Sequence, residues 1–122
     1  MEWKFTGGEP VYQQIMEQFR GAVLLGEYPA GARIPSVREL AAQAKVNPNT
    51  MQRALYELER EQLLITHGTL GRYVTRDESV LEALRQQVVA KTIRHCAELL
   101  GSLGLTLEDA AQIWKNEISK EV

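Results

Sequence analysis

The chain has one cysteine and two histidines among 122 residues, and only 7% of its residues are aromatic. A lone Cys96 forms no intramolecular disulfide, so a reduced cytoplasmic setting is the natural expectation. His95 and Cys96 are adjacent, which on a helix sets them about 100° apart and unsuited to share a metal. Cys96 falls instead on an apolar helical stripe and is expected in the core. Apolar runs last only a few residues, too short to span a bilayer, and the opening MEWKFTGGEP is no secretory leader. No glycine-rich phosphate loop is present, because Gly68-x-x-Gly71 reads as a turn. Glu108, Asp109 and Glu117 read as a solvated helix face. No metal, cofactor or catalytic constellation is therefore expected, and enzyme chemistry finds no support.

What is present is a chain with 44% hydrophobic residues, enough for one small core, and a formal charge of -2. The overall charge argues weakly against nucleic acid. The average hides a split, however. Residues 33–76 carry seven arginines and lysines against four glutamates, whereas the segments on either side are net acidic. A compact basic segment is what a phosphate backbone responds to.

The periodicity lays out a mostly helical chain. Trp3 and Phe5 alternate with polar residues, which predicts a brief extended piece. Pro10 opens an amphipathic helix carrying Val11, Ile15, Phe19, Ala22 and Val23. Ser36 and Glu39 have capping-box spacing before Leu40, Ala41 and Ala44. Asn47-Pro48 is a second start signal, followed by Met51, Ala54, Leu55 and Leu58 at helical intervals. Two helices joined by a tight turn form a helix-turn-helix pattern. Leu63–Thr66 and Arg72–Thr75 are β-prone and flank a glycine-containing turn, which predicts a hairpin and makes the motif winged. Beyond Glu78 the chain is helical to about Gly101. Thr106 then caps a last helix carrying Ala110, Ile113, Trp114 and Ile118. The expected fold is mainly α with a small β-hairpin: a winged helix-turn-helix domain over 1–76 and a C-terminal α-helical hairpin over 77–122. That hairpin cannot bury both its faces alone, so it needs the winged domain or a second copy of itself.

The second helix of the pair begins with Asn47, Asn49, Thr50, Gln52 and Arg53. Asn and Gln pair bidentately with adenine, and Arg with guanine or phosphate. Residues at this position of a helix-turn-helix reach the major groove. Asn47 and Thr50 have a second possible role as helix caps. Arg38 lies beside a helix N-terminus, where an anion is favoured, and its alternative is a salt bridge to a nearby glutamate. His67, Gly68 and Arg72 stand at the hairpin tip, which either approaches a minor groove or is an ordinary solvated turn.

Pro29-Ala30-Gly31-Ala32-Arg33-Ile34-Pro35-Ser36-Val37-Arg38-Glu39-Leu40-Ala41 resembles the signature of the GntR family of bacterial transcription regulators, with Ile34 in place of the usual leucine. Val46–Ala54 and Pro10–Ile15 resemble its YtrA-like branch, and the resemblance runs over about residues 9–76. It implies that Arg38 contacts DNA, that Asn49 and Thr50 open the recognition helix, and that His67-Gly68 enters the minor groove. It also implies phosphate contacts for Tyr12 and Ser36. Gln52 stands where many relatives have arginine, and Pro48 where some place a base-reading arginine, so their sequence preference does not transfer. With 46 residues after Arg76, the expectation is a short dimerisation hairpin instead of a large effector domain.

The resulting expectation is a homodimeric repressor bound to double-stranded operator DNA at an inverted repeat, with no membrane partner. Val80, Leu84, Val88, Ile113 and Trp114 are the expected dimerisation residues. In YtrA-like relatives the regulated operons often encode ABC transporters. The alternative is a winged-helix module for protein–protein assembly, which the net acidic surface favours. The sequence specifies neither operator nor effector.

Overall fold

A computed structural model describes residues 1–121. The first helix, α1 (Val11–Leu24), has Pro10 as its N-cap, whose carbonyl accepts from the Gln13 and Gln14 amides at 3.1 and 3.3 Å. Its inward face buries Ile15 and Phe19 completely, and Phe19 stacks on Tyr28 with ring centroids 5.0 Å apart. The extended leader expected around Trp3 forms no strand. It is instead tied to α1 by glutamine side chains. Gln14 accepts from the Thr6 amide and donates to the Thr6 and Glu9 carbonyls, and Gln18 exchanges two bonds with the Lys4 backbone. These bonds satisfy Gln14, which is buried.

The second helix, α2 (Val37–Ala44), opens with the expected capping box: the Glu39 amide donates to Ser36 Oγ, and Glu39 Oε1 accepts from the Ser36 amide. Lys45 then turns left-handed at φ 57°, and α3 (Pro48–Arg60) follows after the Asn47 cap. α3 packs against both α1 and α2. Met51, Leu55 and Leu58 from α3 and Leu40 from α2 are fully buried, so one core joins the three helices. At about 1.5–3 kcal/mol for each large apolar side chain taken from water, this shared core dominates the stability of the helical trio.

Strands β1 (Leu64–Thr66) and β2 (Arg72–Val74) form an antiparallel hairpin with Leu64 opposite Val74 and Thr66 opposite Arg72. Both are shorter than expected, since Leu63 and Thr75 fall outside the paired register. A single 3-10 turn over Gly68–Leu70 makes the tip, with Gly68 at φ 53°. The loop before α2 adds a rudimentary third strand. Arg33 bridges Tyr73, the Ile34 amide donates to the Arg72 carbonyl, and Val74 donates to Ala32. The wing is thus attached to the chain that leads into α2.

Helix α4 (Glu78–Ser102) starts after Asp77, whose carboxylate accepts from the Ser79 amide and hydroxyl and titrates below its ordinary value for that reason. Helix α5 (Leu107–Glu121) begins with a Thr106–Asp109 capping box. The chain divides into two compact units, Met1–Arg85 and the segment from Gln86 onward. The expected boundary at Arg76 therefore lies inside the first unit, which keeps the opening turns of α4. The structure is a winged helix-turn-helix with further helices, mostly helical with one two-stranded hairpin. Among the described residues no helix is long and apolar enough to cross a membrane.

Candidate nucleic-acid interface

The cap of α3 decides which of its polar residues are free. Asn47 Oδ1 accepts from the Asn49 amide at 2.8 Å, so Asn47 caps the helix. Thr50 is half-buried and makes no capping bond. Asn49, Gln52 and Arg53 are exposed. Their spacing of three and four puts them on one helical face. Tyr56, 55% exposed, continues that face by another turn. Sequence reading passed over Tyr56, although its position seven residues after Asn49 is the signal that would have found it.

Arg38 is exposed in the first turn of α2, and among the described residues no carboxylate pairs with it. The salt-bridge alternative is not what the structure shows. Ser36 Oγ is engaged by the Glu39 amide. The α2 start and the wing line one shallow cleft of about 430 Å³, whose walls include Arg33, Ser36, Arg38, Thr66, Gly68 and Arg72. Arg33 was not singled out from the sequence. Its guanidinium lies over Gly71, where an added Cβ would come within 3.0 Å of Nε. Two arginines without an ion pair, Arg33 and Arg38, and a helix N-terminus thus line one concavity, a favourable setting for an anion.

At the wing, His67 and Gly68 are exposed, and the His67 ring meets Tyr73 edge-on with centroids 5.1 Å apart. Arg72 is placed differently from expectation. Its Nε donates to Glu59 at the end of α3, and both side chains are about four-fifths buried, at 19% and 23% exposure. Arg72 is therefore an anchor of the wing to α3, not a free tip cation. Burial raises the Glu59 carboxyl, but hydrogen bonds from Thr66 and Arg72, with the Arg72 charge, outweigh it and hold Glu59 below its usual range. Tyr12 stands on the first turn of α1, and the Arg53 guanidinium lies 3.8 Å above its ring.

Ion pairing sharpens the charge split read from the sequence. Of the cations in 33–76, Arg60 pairs with Glu57 and Arg72 with Glu59, while Glu61 is neutralised by Arg20 of α1. Arg33, Arg38, Lys45, Arg53 and Arg76 keep no ion pair among the described residues. The remaining glutamate, Glu39, is held in the α2 capping box.

The expected dimerisation residues do not behave alike. Leu84 is 5% exposed and belongs to the first unit, so its side chain is part of the protomer's own core. Val80 and Val88 are half-buried, and Ile113 and Trp114 are exposed at 52% and 65%. Cys96 is also exposed, contrary to its expected place in a core. From Gln86 to Lys120 no side chain is buried, so the apolar stripe that carries Cys96 is at most half-covered. Among the described residues no cluster of His, Cys, Asp and Glu could hold a metal ion.

Residues 11–74 match the model for bacterial regulatory proteins of the gntR family. The HTH-type transcriptional repressor YtrA of Bacillus subtilis is 32% identical over 93% of this chain and 87% of its own length. A GntR family transcriptional regulator from Listeria monocytogenes superposes with a TM-score of 0.80 at 32% identity, covering 92% of this chain and 98% of that one. The AraR DNA-binding domain, solved in complex with operator ORX1, aligns with a TM-score of 0.57 at 26% identity over 62% of this chain and 96% of that one. A winged helix-turn-helix matched in sequence and in shape makes this chain a member of the GntR family of transcription regulators, of the YtrA-like kind.

Proposed function

We propose that this regulator is a homodimeric repressor that binds an inverted-repeat operator. In this reading α3 enters the major groove, with Asn49, Gln52 and Arg53 toward the DNA. Arg38, Ser36 and the α2 N-terminus hold a phosphate, and His67-Gly68 approaches the minor groove. The observation that carries it is the pairing, within one winged helix-turn-helix unit, of an exposed polar α3 face with a cleft between α2 and the wing that is lined by the unpaired Arg33 and Arg38. Operator contact in the AraR domain and the repressor role of YtrA support the same reading.

Two features support a dimer. The second unit buries none of its side chains from Gln86 to Lys120, and it exposes Leu99, Leu103, Ile113 and Trp114 at 52–73%. Apolar area of this extent matches a partner surface better than it matches water. A second copy also doubles the reading heads, and two-fold symmetry then requires an inverted repeat with half-sites about 34–36 Å apart, or a multiple.

A gel shift on the promoter fragment of its own gene, titrated with salt, tests the reading. A shift that weakens steeply with salt and outlasts competition by unrelated duplex is the expected result. No shift even at low ionic strength would favour a protein-assembly module instead.

A further inference from the structure

We infer that Tyr12 is a positioning residue, which holds the Arg53 guanidinium as a preset clamp for a DNA phosphate at the rim of the recognition helix. The inference rests on the DNA-binding reading above. The two residues are far apart in sequence and are brought together by the packing of α1 against α3. Arg53 Cζ lies 3.8 Å above the Tyr12 ring centroid, well inside the range of a cation–π contact. The ring has a fixed base. Tyr12 is half-buried in the first turn of α1, two and three residues before the buried Gln14 and Ile15, and its hydroxyl accepts from Gln13 Nε2 at 3.2 Å.

The Arg53 N–H groups make no hydrogen bond among the described residues, which leaves them available for bidentate capture of a phosphate while the ring holds the cation. No carboxylate among the described residues competes for them. Arg53 leans toward Tyr12 of α1, so the clamp stands at the α1 side of the face it shares with Asn49 and Gln52. That placement suits the sugar-phosphate rim better than a base edge. Tyr12 then acts through Arg53, without its hydroxyl needing to touch DNA.

The test measures affinity of the full chain, by fluorescence anisotropy across a salt series, for a duplex from its own promoter and for a scrambled duplex. Arg53→Ala should lower affinity about tenfold on both and reduce the salt slope by about one. Tyr12→Leu should weaken both duplexes roughly three- to tenfold, with no further loss when combined with Arg53→Ala. Tyr12→Phe, which keeps the ring, should bind like wild type. Arg53→Lys leaves the α1 core untouched and should still lose affinity, which covers the case of a Tyr12→Leu protein that melts. The inference is overturned if Tyr12→Phe is as weak as Tyr12→Leu, if the losses add, if Arg53→Lys binds like wild type, or if the losses are confined to the promoter duplex. A wild-type chain that binds neither duplex at low salt overturns the DNA-binding reading itself.

Discussion

Replacing Glu59 with glutamine tests whether one carboxylate holds the wing in place. Glu59 Oε1 accepts from Thr66 Oγ1 at 2.6 Å and from Arg72 Nε. Thr66 and Arg72 face each other across the hairpin, so this oxygen ties both strands to α3 at the end nearest the tip. The hairpin has only three paired positions, and an isolated ribbon of that size is marginal in water. Side-chain exposures of 19% and 23% put the pair between two regimes. Surface pairs are worth about 0–1 kcal/mol and breaking buried ones costs about 3–5, so about 2 kcal/mol is expected here. For a unit of this size that lowers Tm by on the order of 10 °C. The pH dependence has a definite sign. Glu59 titrates below its ordinary value, so its contribution is complete above about pH 4.3 and is lost as pH falls through the lower folded-state value. Thermal melts of wild type and Glu59→Gln should therefore differ by a constant amount near neutrality and converge in acid. Arg72, released, should also raise affinity for unrelated DNA. Equal Tm values at pH 7, or a gap that persists unchanged in acid, would refute the anchor.

Arg38→Ala should weaken promoter and unrelated duplexes alike, with a salt slope smaller by about one, as read by anisotropy. Gln52→Ala should cost about 1–3 kcal/mol on the operator and leave unrelated DNA unaffected, which a competition assay resolves. Gly68→Val meets no neighbour around its added Cβ, so any loss comes from the φ of 53° and should appear as weaker binding on sites with A·T-rich flanks. Trp114→Glu with Ile113→Glu changes only exposed side chains. The protein should keep its Tm for the first unit, sediment as a monomer and lose most operator affinity; a dimer that survives would move the interface elsewhere.

The elements that were legible in the sequence are those fixed by short spacings. Ser36 and Glu39 stand three residues apart, and Asn47-Pro48 are adjacent, so each start signal is complete within one turn of helix. The hairpin followed from β-prone runs around glycine. What escaped reading depends on residues that meet only after folding. Arg72 looked like a free cation because its partner Glu59 lies on another element. The leader's alternation says nothing of its partners, and its bonds run to Gln14 and Gln18 of α1. The Arg33–Tyr73 bridge links segments about forty positions apart and has no local signature. Cys96 shows a different failure: an apolar stripe specifies a face to be covered, and does not say whether the same chain covers it.

The acidic composition and the DNA-binding fold are reconciled by where the charges are spent. Formal charge counts Glu57, Glu59 and Glu61 against the basic segment, yet each is matched to a particular arginine, and one of those, Arg20, comes from outside that segment. Within that segment folding therefore leaves Arg33, Arg38, Lys45, Arg53 and Arg76 without an ion pair among the described residues, in a chain that is acidic overall. These five set the scale of the polyelectrolyte response. With a slope of about −0.9 for each phosphate neutralised, contact by all five gives one protomer a salt slope of about −4.5, and a two-fold pair about twice that. A measured slope near the doubled value is the result expected for two protomers on one duplex. The salt titration that tests for DNA binding thus also bears on how many copies are bound.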